Sequence, residues 1–230
     1  MKEERKDHVS VLDKLIDQCG QATLATPPSK SGRKSSEDTK RQGRLEMIRQ
    51  ALDAAWKRNG LDEEPQIVEK VAEAISDGKG VTLVGSIGSG KTRRLEAICQ
   101  AIGSKVFGAG ELMRMVREYQ QKFGEDTGLK MALKTNKEEF SEDKDHALAI
   151  DDIGKEPTEI LSYGTRHDYM VEAIEERYKQ WASRKWITLF STQMSPEEIR
   201  KRYPAHIADR IGEMTVPVFL ARRSRRVSWL

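Results

Sequence analysis

The eight residues Gly85-Ser86-Ile87-Gly88-Ser89-Gly90-Lys91-Thr92 constrain this chain more than any other stretch. They follow the apolar run Val81-Thr82-Leu83-Val84 and precede the helix-forming run Arg93-Arg94-Leu95-Glu96-Ala97-Ile98. A strand that delivers the chain to a glycine-rich turn and then to a helix start is a phosphate-binding loop in its working context. Backbone N–H groups of the turn close on phosphate oxygens, and the positive end of the helix dipole faces the same anion. In this reading Gly85, Ser86, Ile87, Gly88, Ser89 and Gly90 form the cradle. Lys91 reaches the outer phosphates, and the Thr92 hydroxyl takes one position on Mg²⁺. Nucleotide binding is the fixed point, and the rest of the chain must say what the nucleotide does.

A chain of 230 residues has room for one full α/β domain and a small appendage. Its 37% hydrophobic and 33% charged residues suit a solvated protein. No apolar run approaches membrane-spanning length, and the opening Met-Lys-Glu-Glu-Arg-Lys-Asp has no signal-peptide core, so a cytoplasmic protein without a membrane partner is expected. Cys19 and Cys99 lie far apart with no metal-ligand spacing and read as reduced, structural residues. A net charge of +3 argues for no polyanionic partner by itself, but residues 30–44 and 222–226 are basic clusters.

Val9, Val11, Leu12, Leu15 and Ile16 fall mostly on one face of a short amphipathic helix ending near Gly20. Such a helix needs a partner surface, either on its own domain or on another protein. Residues 21–44 turn to Pro, Ser, Gly, Thr, Lys and Arg with almost nothing apolar to bury, the composition of a flexible linker. The expected organisation is a docking helix over 1–20, a linker over 21–44 and a nucleotide-binding domain over 45–230.

Within that domain, Leu45, Ile48, Leu52, Ala55 and Trp56 mark a helix that stops at Asn59-Gly60. Pro65 opens a second, with Ile67, Val68, Val71, Ala72 and Ile75, which Gly78 closes. Beyond the phosphate-loop helix, Lys105-Val106-Phe107 reads as a strand, and Gly108-Ala109-Gly110 turns into a helix with Leu112, Met113, Val116 and Tyr119 on its buried face. This alternation predicts an α/β fold with a parallel sheet covered by helices on both sides. Residues 122–145 are charged, with Gly124, Gly128 and Asn136 as breakers and a short helix expected around 129–133. A segment of this kind is either a disordered excursion or a functional surface loop.

The second strong signal is Ala147-Leu148-Ala149-Ile150-Asp151-Asp152-Ile153-Gly154, an apolar strand that ends in two acids. After a phosphate loop, Asp151 is placed to hold Mg²⁺ through water and Asp152 to orient or deprotonate the attacking water. ATP and Mg²⁺ are therefore the expected cofactors.

The stretch Ile150-Asp151-Asp152-Ile153-Gly154-Lys155-Glu156 resembles the acidic motif of bacterial replicative helicase loaders of the DnaC and DnaI type and of their IstB-type transposition relatives, a clade of AAA+ ATPases. Downstream stretches agree in order. Glu176-Arg177-Tyr178 is similar to the end of a long helix in the family. Leu189-Phe190-Ser191-Thr192-Gln193-Met194-Ser195-Pro196-Glu197-Glu198 is similar to the strand and polar tip of sensor 1. Ile207-Ala208-Asp209-Arg210-Ile211 resembles the arginine-finger segment, and Ala221-Arg222-Arg223-Ser224-Arg225-Arg226 the sensor 2 stretch. The resemblance covers roughly residues 80–227 and leaves the N-terminal part uncovered. It implies a P-loop NTPase of AAA+ type, here with a short helical N-terminal extension on a flexible linker.

The resemblance also implies roles. Sensor 1 holds the attacking water with a polar side chain, usually Asn, for which this chain offers Thr192 and Gln193. Arg210 would reach the nucleotide site of a neighbouring subunit, and such a finger is worth ~10³–10⁵ in rate. Hydrolysis is then expected to need a helical or ring-like multimer. Arg226, with Arg225 as alternative, would touch the γ-phosphate from its own chain. Asp152 stands where many AAA+ proteins carry the longer Glu, and a displacement of ~1 Å in such a group can cost ~10²-fold, so a slow, switch-like ATPase is expected. Loaders of the family also hold single-stranded DNA, which needs positive charge and exposed aromatics. Tyr119, Phe123, Ser162, Tyr163 and Arg166 are the candidates. The implied function is an ATP-dependent loader that grips a DnaB-type ring helicase through its N-terminal region and sets it on single-stranded DNA. An IstB-like helper that remodels duplex DNA and recruits a transposase shares every ATPase motif and stays open. A P-loop kinase acting on a small molecule is a third reading, weakened because it has no use for arginines at the finger and sensor 2 positions.

Overall fold

The computed structural model describes residues 30–133, 147–158, 160–162 and 165–220. The expected docking helix over 1–20, Tyr163, Arg225 and Arg226 lie outside the described residues. In chain order the elements are α1 (Lys30–Arg58), α2 (Pro65–Ser76), β1 (Gly80–Val84), α3 (Lys91–Ile102), β2 (Lys105–Gly108), α4 (Ala109–Phe123), α5 (Glu125–Ala132), β3 (Leu148–Ile153), β4 (Ile160–Ser162), β5 (Thr165–His167), α6 (Tyr169–Arg184), β6 (Thr188–Thr192), α7 (Pro196–Arg202), α8 (Ala205–Met214) and β7 (Thr215–Phe219).

Five strands form one sheet in the order β2-β3-β6-β1-β7, and every neighbouring pair is parallel. Period-2 alternation sends their side chains to two faces. Val81, Leu83, Ala149 and Leu189 join a core with residues of α1, α2 and α3, including Leu52, Val71 and Ile98. Leu148, Ile150 and Phe190 join a second core on the opposite face with Leu112 of α4, Met170 and Ile174 of α6, and Ile207 of α8. Strands buried on both faces read as apolar runs, which is why β1 and β3 stood out in the sequence. The expected α/β fold with a helix-covered parallel sheet is thus the observed one. Because β1 pairs with β6 and β7 and not with β2, the connections from β1 to β2 and from β6 to β7 run in opposite directions, and the carboxyl ends of β1, β3 and β6 border a crevice.

Three expectations are corrected. The first helix begins at Lys30, inside the linker expected over 21–44. Its Lys, Arg, Glu and Gln residues extend a helix at one hydrogen bond per residue once the buried turns of Ile48, Leu52 and Trp56 have formed. Arg41 also reaches across to Asp77 at 2.7 Å. The helix expected to end at Glu176-Arg177-Tyr178 runs on to Arg184. Arg177 is an anchor in its middle, fully buried and donating to Thr188 Oγ1 at 2.9 Å and to the Ile187 carbonyl at 2.8 Å. Finally, Leu161-Ser162-Tyr163-Gly164-Thr165-Arg166 reads in the sequence as a short turn-like stretch, whereas Ile160–Ser162 and Thr165–His167 pair as the antiparallel strands β4 and β5. Strands of three residues are too short to show a period.

The charged segment after α4 begins as structure. α5 packs so closely on α4 that a Cβ at Gly128 would come within 2.3 Å of the Gln120 backbone nitrogen. Ala132 and Leu133 are buried, and residues 134–146 lie outside the described residues. No helix among the described residues is long and apolar enough to cross a membrane. Cys99 is buried with a free thiol that burial pushes up to about 12, in keeping with a structural role.

Candidate active site

The phosphate loop leaves β1 at Val84 and ends at Gly90, the N-cap of α3. Gly90 has φ +81, and no side chain caps the helix, so the first N–H groups of α3 face the loop with the positive helix end behind them. Arg94 braces this turn from beneath. It is almost fully buried, donates to the Ser89 carbonyl at 2.8 Å and the Gly90 carbonyl at 3.1 Å, and pairs with Glu64 ahead of α2. A Cβ at Gly90 would meet Arg94 Nη1 at 2.5 Å, so both the backbone conformation and the space require glycine. The Lys91 ammonium spans the loop, donating to the Gly85 carbonyl at 2.8 Å and the Ser86 carbonyl at 3.1 Å.

The acids of β3 arrive from the next strand but one. Thr92 Oγ1 donates to Asp151 Oδ2 at 2.8 Å, joining the two residues expected at Mg²⁺. The other Asp151 oxygen, Oδ1, accepts from Ser191 Oγ of β6. Ser191 in turn accepts from the Asp152 N–H at 2.9 Å. The pairing of β3 with β6 slips between Ile150 and Ile153, an irregularity that leaves one extra residue in β3. Such a bulge re-aims side chains. Asp152 sits in it at φ +59, a left-handed conformation that costs a non-glycine residue ~1–3 kcal/mol and persists only where its surroundings impose it. Its carboxylate points to Lys155, whose Nζ lies 2.8 Å from Oδ2.

The two sensor 1 candidates separate. Thr192 is fully buried, and its hydroxyl donates to the Ile153 carbonyl at 2.9 Å and accepts from the Met194 N–H at 3.1 Å, which ties the end of β6 to β3. Gln193, one residue on, lines a cleft of about 440 Å³ with Gly88, Lys91, Thr92, Asp152 and Lys155. That volume suits a small-molecule ligand, and pockets for such ligands run ~300–1,000 Å³. The hydroxyl and carboxylate oxygens of Thr92 and Asp151 are the hard donors that Mg²⁺ prefers.

Arg210 is not among the cleft residues of its own chain. On α8 it donates to Glu175 of α6 at 2.6 Å and lies over the Tyr178 ring, 5.1 Å from its centroid. Tyr178 donates to Glu213 at 2.6 Å, which raises its pKa. Among the DNA candidates, Tyr119 is half-buried against the second core with its ring 5.8 Å from that of Phe123, whereas Phe123 is 39% exposed. Arg166 is exposed on β5, and Ser162 lies across the hairpin on β4.

Sequence reading missed four contributors: Ser191, Arg94, Glu64 and Glu156. Glu156 is buried below the Asp152 turn, accepting from the Gly154 N–H at 2.7 Å, from Arg202 at 3.0 Å and from the Tyr203 hydroxyl at 2.5 Å. Burial and this carboxylate raise the Tyr203 pKa, so the phenol stays protonated as a donor. An arginine in a helix or a glutamate in a charged turn carries no local signal of burial; only the Ser191-Thr192 pair, polar residues ending an apolar strand, is visible as an anomaly.

No protein-family model matches the chain, and no curated protein matches it. Solved structures do. The DnaC helicase loader is similar at 23% identity over 63% of this chain and 79% of that one, with a TM-score of 0.45. DnaI is similar at 20% identity over 64% of this chain and 73% of that one, with a TM-score of 0.43. AMPPCP-bound DnaA from Aquifex aeolicus is similar at 17% identity over 67% of this chain and 45% of that one, with a TM-score of 0.47.

Proposed function

We propose that this chain is a slow, Mg²⁺-dependent ATPase that loads a DnaB-type ring helicase onto single-stranded DNA in the cytoplasm. The observation that carries the ATPase reading is the convergence of Thr92, Asp151 and Ser191 at the mouth of the phosphate loop, with Asp152 and Gln193 across the same cleft. Thr92 and Asp151 would hold Mg²⁺, which when bound neutralises charge on the transferring phosphoryl group. The loop N–H groups and Lys91 bind and orient the phosphates. Asp152 and Gln193 are the groups for the attacking water, and Arg226 serves as sensor 2. Arg210, absent from its own cleft, completes the site of a neighbouring subunit, so the working form is a multimer.

Loading is supported by the order of motifs from residue 150 to residue 226, which resembles that of the helicase loaders. The N-terminal residues 1–20 are the region for helicase contact, and Phe123 and Arg166 are more exposed than Tyr119 among the DNA candidates whose side chains are described. The test is co-purification with a DnaB-type helicase in Mg²⁺-ATP, using the full chain, a chain lacking residues 1–29 and Lys91→Ala. The full chain should retain the helicase and bring it to single-stranded DNA. Loss of residues 1–29 should abolish the complex, and Lys91→Ala should form it without delivering the helicase. ATP-dependent binding to duplex DNA with no helicase retained would favour the IstB-like helper instead.

A further inference from the structure

Lys155 is a charged side chain of the cleft that has no part in the hydrolysis proposed above. It lines the cleft beside Asp152 and Gln193, with its Nζ 2.8 Å from Asp152 Oδ2. The turn that presents it is built, not loose. Asp152 is fixed at φ +59 by its N–H bond to Ser191 Oγ. Gly154 follows at φ +92, where a Cβ would meet Met194 Sδ at 2.5 Å. The Gly154 N–H is held by Glu156, whose carboxylate is anchored in turn by Arg202 and Tyr203 at the end of α7. The backbone on both sides of Lys155 is therefore tied to the body of the domain, and its ammonium is delivered to the acid.

We infer that Lys155 is a positioning residue that restrains hydrolysis by engaging the Asp152 carboxylate; this rests on Asp152 being the acid that handles the attacking water. A carboxylate oxygen that accepts from an ammonium has one fewer lone pair for water, and an acid held toward Lys155 is not free to follow the water. The restraint is modest and releasable. The two side chains are 52% and 39% exposed, and such pairs contribute little in water. A polyphosphate entering the cleft competes for the same ammonium.

The test uses the full chain as Lys155→Ala and Lys155→Arg, with Lys91→Ala as blank. Steady-state Mg²⁺-ATP hydrolysis is measured beside calorimetric affinity for a non-hydrolysable ATP analogue. Lys155→Ala should raise kcat roughly two- to five-fold with KM and analogue affinity within about two-fold of wild type. Lys155→Arg, which keeps a cation within reach of Asp152, should stay at the wild-type rate. An unchanged or lower kcat in Lys155→Ala overturns the inference, and a lower kcat with weaker analogue binding makes Lys155 a phosphate ligand instead. Hydrolysis no faster than the Lys91→Ala blank in every chain overturns the ATPase reading together with this one.

Discussion

At the mouth of the phosphate loop, functional groups are held by contacts between different strands. Asp151 takes one hydroxyl from the first turn of α3 and another from β6, and Thr192 stitches β6 to β3. On the outer face of α6 and α8 the arrangement is different. Arg210 meets Glu175 through two long side chains, 30% and 36% exposed, and a pair of that kind is worth up to about 1 kcal/mol. The first region is ordered by the backbone path of the sheet before any ligand arrives. The second is ordered by a contact that a phosphate can outcompete. A group that must act within its own subunit benefits from a fixed position, whereas one that must reach a neighbour needs a partner it can leave.

Arg210→Ala is the sharpest break of this comparison. If Arg210 works in a neighbouring site, hydrolysis should fall ~10³-fold or more while affinity for an ATP analogue is retained. Equal loss of affinity would place Arg210 in its own cleft and erase the difference between the regions. Ser191→Ala probes the opposite side. Removing a partner of a metal-holding carboxylate should weaken Mg²⁺ affinity ~10-fold, read as a rightward shift of the Mg²⁺ dependence of hydrolysis. No shift would mean that Asp151 needs no bracing from β6. Glu175→Gln gives the smallest effect. Freeing Arg210 from a weak surface pair should change hydrolysis by at most about five-fold, and upward, at low protein concentration.

The same contrast explains what the sequence made legible. The phosphate loop and β3 announce themselves because a parallel strand buried on both faces is a continuous apolar run, and the glycines or acids that end it stand out. The bracing groups do not. Glu156 and Arg94 read as surface charges, and their burial depends on Arg202, Tyr203 and Glu64, which are remote in sequence. The start of α1 was misplaced for a related reason: local composition favoured a linker, while cooperative extension from packed turns further along decided for helix. Gln193 and Thr192 are equivalent candidates in the sequence, and the contacts that distinguish them, the Thr192 hydroxyl on backbone groups and Gln193 in the cleft lining, are tertiary.

The central claim is that each site is completed by a second copy of the chain. Mixing Lys91→Ala with Arg210→Ala tests it directly, since one variant retains the arginine and the other retains an intact cleft. ATP hydrolysis measured across mixing ratios at fixed total protein should rise above either variant alone and peak at an intermediate ratio. A rate that never exceeds the weighted sum of the two separate variants, under conditions where the chains co-assemble, would contradict a shared site.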